Sequence, residues 1–142
     1  MLAQAQFLAP ALALIKWTLV MWTWMYATRL PAMRRAGIAP QEAAYPGTLA
    51  QRVPASVRSV ADNYNHLHEQ PTLFYALLFF AALTGGADAT ALVLAWAYVG
   101  LRVLHSLIQA TINRVVLRFV AFAAGSLVLA AFVAKEALRL LA

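Results

Sequence analysis

Residues 87–142 read ADATALVLAWAYVGLRVLHSLIQATINRVVLRFVAFAAGSLVLAAFVAKEALRLLA, and the length of this run decides the fold. As one helix it would extend ~80 Å at about 1.5 Å per residue, against a hydrocarbon core of about 30 Å. It therefore has to break. The polar band between Arg102 and Arg118 is the place, and Asn113 is the best turn residue in it. Two helices result, about 88–112 and 114–140. Upstream, Pro71 to Leu83 is apolar but too short to cross alone. Its helix is expected to begin near Pro54, a residue suited to a first helical turn, and to run to about 84, where Gly85 and Gly86 form a short turn. The first block, about 7–28, carries Trp17, Trp22, Trp24 and Tyr26 in its later half, as an interfacial anchor does. The expectation is a single domain over 1–142, an all-α polytopic membrane four-helix bundle.

Composition agrees. Of 142 residues, 63% are hydrophobic and 11% charged, and the mean hydropathy is +0.71. A soluble domain carries about 25% charged residues, so too little polar surface is present to coat one. The stretch from Met1 to Gln6 lacks a basic leader, and the first apolar block reads as a retained helix. Cysteine is absent, which excludes disulfides, thiolate metal sites and a protein thiol nucleophile. Any thiol must arrive with a ligand. The net charge of +6 does not point to nucleic acid, because the basic residues flank apolar spans without a basic stripe interleaved with aromatics.

Those basic residues orient the chain. Pro31, Pro40, Pro46 and Gly47 mark the first connection as a loop, and Arg29, Arg34, Arg35, Arg52 and Arg58 charge it. Arg114 and Arg118 charge the third connection, while Thr84 to Ala89 has neither Lys nor Arg. The positive-inside rule places the long basic loop in the cytoplasm and both termini in the periplasm of a bacterial inner membrane. Lys135 and Arg139 weigh mildly against this.

Polar residues collect near the basic end. Arg58, Asp62, Asn65 and Glu69 share one helical stripe, as do Arg102, His105 and Gln109. Ionisable groups near hydrocarbon need a bundle interior, a cavity or each other, so Glu69 is expected to pair with Arg102. Two readings of the cluster stand side by side. In one the charges only fasten helices together; in the other they bind an anion, with Arg114 and Arg118 clamping carboxylates or anchoring lipid headgroups. His66 and His68 point about 200° apart on a helix and cannot share a metal ion. Lys16, deep in the first span, is a proton-path candidate or a snorkelling side chain. Ala121 and Gly125 favour close helix packing.

The stretch Asn65-His66-Leu67-His68-Glu69-Gln70-Pro71, opening an apolar helix, resembles the second-helix signature of the MAPEG family, the membrane-associated proteins of eicosanoid and glutathione metabolism. Arg102-Val103-Leu104-His105, followed by Asn113, Arg114 and Arg118, is similar to the family as well, as is the long basic loop. The resemblance implies a homotrimer in membrane lipid, with glutathione as cofactor bound between subunits, and transfer to, or peroxide reduction of, a lipophilic small-molecule substrate. Carried over, Glu69 receives the glutathione amine; Arg29, Arg102 and Arg118 face carboxylates or the thiolate; His105 lines the site, and Gln109 and Arg114 complete the expected binding set. Arg118 is the catalytic candidate, lowering the thiol pKa. Gln109 stands where many enzymes of the family have a tyrosine. A non-catalytic lipid- or ligand-binding membrane scaffold of the same fold is the alternative, and a small transporter the third reading.

Overall fold

The structure is a computed structural model that describes residues 4–44, 47–49 and 51–141. Met1, Pro46 and Ala142, used above to delimit the first span, the basic loop and the domain, lie outside them. The described residues form helices α1 (Gln4–Arg35), α2 (Ala55–His66), α3 (Gln70–Leu83), α4 (Ala89–Ala110) and α5 (Val115–Leu141), with a 3₁₀ turn at Pro40–Ala43. No strand occurs among them. Three of the helices, α1, α4 and α5, are long and apolar enough to cross a membrane, and α2 with α3 fills the fourth place in an all-helical membrane bundle. Large apolar side chains such as Leu73, Phe79, Val93, Phe119 and Leu127 face outward, as lipid-facing residues do.

Where boundaries differ from the sequence reading, local chemistry explains them. The helix expected over 54–84 is interrupted at Leu67–Glu69. Pro71 has no N–H to offer the Leu67 carbonyl, and its ring clashes with that carbonyl in a continuous helix. The last turn of α2 tightens instead, through His68 N–H to Asn65 O at 2.9 Å and Glu69 N–H to His66 O at 3.4 Å. The first helix runs on to Arg35 rather than stopping near 28. It passes through Pro31 because Ala32, Met33, Arg34 and Arg35 are strong helix formers and α2 packs along it. Asn113, at φ 47°, turns the chain between α4 and α5, and Asp88 caps α4 by accepting the Ala91 N–H at 2.8 Å.

Inside lipid, helices associate through close packing and interhelical hydrogen bonds rather than through expulsion of water. Phe74 stacks on Tyr98 at 4.6 Å, and Gly125 lets α5 approach Leu101 of α4. Gln70 donates to Ser126 Oγ at 2.8 Å and accepts from Tyr98 at 3.3 Å, tying α3, α4 and α5. Ser106 of α4 accepts from Trp17 Nε1 at 2.9 Å and from Asn63 Nδ2 at 2.6 Å, which adds α1 and α2. The Trp17–Ser106 contact fixes a common level. Beyond it α4 has one more turn, whereas α1 continues for 18 residues to Arg35. The α1–α2 pair therefore projects roughly 20 Å past the α4–α5 turn.

Candidate functional site

Two polar regions lie at this basic end. The first sits in the interior where α2 breaks. Arg102, His105 and Gln109 all point inward from α4 and are buried, as their shared stripe requires. The interrupted helix leaves the His66 carbonyl without its usual i+4 donor, and Arg102 Nη2 donates to it. His105 is fixed at both nitrogens. Nδ1 lies 2.9 Å from the Arg118 carbonyl, which only accepts, so Nδ1 carries the proton; Nε2 then accepts, and the Gln109 side-chain amide, whose oxygen is placed 3.1 Å from it, bonds it by turning its NH2 toward the ring. Arg118 is half-buried one turn into α5, and its Nη1 donates to Asn113 Oδ1 at 2.7 Å. The Asn113 turn thus aims the guanidinium as well as reversing the chain.

The expected ion pair between Glu69 and Arg102 does not form. The Glu69 side chain is 64% exposed, with His66 Nδ1 3.7 Å away. Glu69 follows the break in α2, and so it turns away from the bundle where an unbroken helix would have carried it inward. Arg102 meanwhile is 4% exposed, and its Nε and Nη1 have no hydrogen-bond partner. A buried guanidinium held by one carbonyl is an uncommon arrangement, since each unmet donor costs about 1–3 kcal/mol. The space bounded by Gln70, Arg102, His105 and Phe122 is too narrow for a water molecule. Both nitrogens are closed to solvent in this arrangement, so a ligand carboxylate reaches them only once the neighbouring side chains move apart.

The second region is a cavity of about 520 Å³ between α1, α2 and the loop, lined by Arg29, Arg58, Asp62 and Asn65 together with small apolar residues. Three members of the predicted Arg58–Glu69 stripe meet here, and Glu69 does not. Arg29 is therefore not joined to Arg102 or His105 within one chain, and Arg114 stands exposed at the α4–α5 turn. The loop beside this cavity is braced by the Glu42–Arg52 ion pair. Arg52, with the Ala39 amide, holds the Glu42 carboxyl below its ordinary range.

Asn63, Ser106 and the His66 carbonyl were missed in the sequence. A lone Asn or Ser on a helix carries no signal of its own, although Asn63 lies one position from the stripe that was recognised.

The model of the MAPEG family matches residues 7–138, nearly the whole chain. The chain belongs to the MAPEG family. Neither a curated protein nor a solved structure matches it. As a MAPEG protein it is an integral membrane protein of a family that includes glutathione transferases and peroxidases, and the break in α2 falls within the matched region.

Proposed function

We propose that this MAPEG protein is a glutathione-dependent transferase or peroxidase acting on lipophilic substrates, assembled as a homotrimer in a bacterial inner membrane. The observation that carries the reading is the pair of unpartnered nitrogens on buried Arg102, beside an exposed carboxylate at Glu69. A zwitterionic peptide fits that donor set. Arg102 meets a carboxylate, Glu69 takes the ammonium, and Gln109 and His105 line the floor; Arg114 and, from the adjoining cavity, Arg29 add positive charge at the rim. The chain has no cysteine, so bound glutathione supplies the sulfur nucleophile. Arg118 holds positive charge beside that sulfur, favouring the thiolate. The apolar outer faces admit substrate from the bilayer. A lipid- or ligand-binding scaffold is the second reading. It is favoured by exposed Arg114 at the helix turn, where a headgroup anchor belongs.

Arg118→Leu tests this choice. Turnover with glutathione and a model electrophile is expected to fall about 100-fold, with the pH–rate profile displaced to alkaline values and the Michaelis constant little changed. Arg114→Leu, at an exposed position on the α4–α5 turn, should be milder. Equal, negligible effects would leave the scaffold.

Orientation is checked separately. A reporter fused at Gly47 is expected to read cytoplasmic and one at Gly85 periplasmic, since seven arginines flank the two connections at one end. Lys135 and Arg139 at the other end are held in ion pairs with Asp88 and Glu136. A periplasmic signal at Gly47 would reverse the assignment.

A further inference from the structure

Residue 118 is held at both ends of its side chain. Its N–H donates to the Arg114 carbonyl at 3.0 Å, its carbonyl accepts from His105 Nδ1 at 2.9 Å, and its Nη1 donates to Asn113 Oδ1 at 2.7 Å. The two backbone bonds fix where the side chain leaves α5, and the bond to Asn113 fixes where the guanidinium ends. An arginine left free at that end moves among many rotamers. Asn113 reaches this position through its own backbone. At φ 47° it lies in the left-handed region that few residues other than Gly, Asn and Asp tolerate, with its N–H on the Ile108 carbonyl at 2.8 Å. The turn and the side-chain bond are thus two separable properties of one residue.

The neutrality of Asn113 matters as much as its place. The chain has five acidic residues, and none of them pairs with Arg118. Glu42 holds Arg52, Asp88 and Glu136 hold Lys135 and Arg139, and Glu69 stands beside His66; Asp62 shares the cavity of Arg29 and Arg58. An aspartate at 113 would suit the turn equally, since it tolerates positive φ and a negative charge is favoured beside the N-terminus of α5. It would also bond the guanidinium more strongly. What it would remove is the net charge. An amide orients a cation without cancelling it, whereas a carboxylate does both.

We propose that Asn113 is a positioning residue for thiol activation, its neutral side chain holding the Arg118 guanidinium in place at full positive charge. The inference deepens the proposed function and rests on it, since Arg118 is there the group that favours the thiolate. Asn113 touches neither the sulfur nor the substrate; it acts through Arg118. The bond is exposed to solvent, so it contributes little to stability, and its loss is expected to show in the thiol rather than in the fold. A neighbouring charge moves a titrating group by about 1–3 pH units, and solvent at the turn keeps the effect near the lower figure.

The test follows the thiol pKa of bound glutathione, by the ultraviolet absorbance of the thiolate, beside thermal unfolding of the same purified proteins. Asn113→Gly keeps the turn and deletes the side chain; it should unfold near the native temperature with the thiol pKa raised. Asn113→Asp keeps the turn and the bond; it should be as stable as the native protein, yet raise the thiol pKa furthest. The rise should be about one pH unit, with about tenfold less thiolate below that pKa. Turnover should carry the loss while the Michaelis constant for glutathione changes little. Asn113→Gly placed on Arg118→Leu should add nothing further. A role in the turn alone predicts a native thiol pKa in both variants, and that result overturns the proposal, as does a further rise for Asn113→Gly when Arg118 is already leucine. Native protein that binds no glutathione in calorimetry overturns the proposed function and this inference with it. Binding with a thiol indifferent to residue 113 overturns this inference alone.

Discussion

Replacing Glu136 with Gln is expected to destabilise the detergent-solubilised protein by about 3 kcal/mol, at the low end for loss of one member of a buried ion pair. Glu136 is 2% exposed and is the anion on which the end of the bundle opposite the arginine cluster is built. Lys135 Nζ approaches Oε1 at 2.7 Å, and Arg139 reaches Oε2 through Nη2 at 2.8 Å and Nε at 3.0 Å. The same cations extend to the α3–α4 turn. Arg139 donates to the Thr84 carbonyl at 3.0 Å and to its hydroxyl at 2.7 Å, and Lys135 pairs with Asp88 at 2.7 Å. Without Glu136 two cations remain with weaker partners, both of them partly open to solvent, which is why the loss stays at the low end. Thermal unfolding monitored by circular dichroism measures it, and a shift close to zero would show the network to be incidental. Gly86→Ala supplies an independent check. A Cβ there would run into the Glu136 carboxylate, which its two cations prevent from swinging aside. The substitution should be destabilising in the native background and nearly silent in Glu136→Ala, a departure from additivity that marks direct contact. Acid should loosen the same end. Burial opposes charge on Asp88, but the Ala91 amide and the Lys135 ammonium outweigh it and hold the carboxyl below its ordinary value. Its contribution is therefore complete above the ordinary aspartate range of about 4 and is lost as pH falls through the depressed folded value.

This network shows what a sequence conceals. Glu136 lies in a run read only as the last apolar span, and Lys135 and Arg139 were weighed as topology signals without the acid between them. Helical spacing places 135, 136 and 139 near one another, but whether the group faces lipid or a turn from another helix depends on where residues 84–88 return. The opposite case is the Arg102, His105 and Gln109 stripe, which was legible because a period of 3.6 residues and the expense of burying polar groups in lipid leave one solution. Glu69 failed for a local reason. Its inward direction was extrapolated through Pro71 along an unbroken helix, and a proline that ends one helix and opens the next resets the phase of everything upstream. The Asn113 turn was readable because bilayer thickness demanded a break and few residues in the band accept positive φ. Its second role, holding the Arg118 guanidinium, was not.

The failed pairing of Glu69 with Arg102 leads to an expectation of unusual sign. Arg102→Met should make the ligand-free protein more stable, by about 1–3 kcal/mol, while weakening glutathione binding about 100-fold. The stability side follows from the burial of a guanidinium whose Nε and Nη1 meet no acceptor. Met has a similar volume and no polar hydrogen to satisfy, and apolar replacement of a poorly paired buried charge is often stabilising. Against that stands the loss of the Arg102 bond to the His66 carbonyl, about 1 kcal/mol, which the Glu69 amide at 3.4 Å partly offsets. The binding side follows from the same two nitrogens. If they receive a ligand carboxylate, two charge-assisted bonds at about 1.5 kcal/mol each disappear, and about 3 kcal/mol is roughly 100-fold in Kd. A buried arginine kept only to fasten helices predicts the reverse for stability, because its removal should loosen the α2–α4 contact, and it predicts no selective loss of affinity. Unfolding of Arg102→Met without ligand, set beside calorimetry with glutathione, separates the two. Lower stability with unchanged affinity would make Arg102 a structural residue and remove the observation on which the glutathione reading rests.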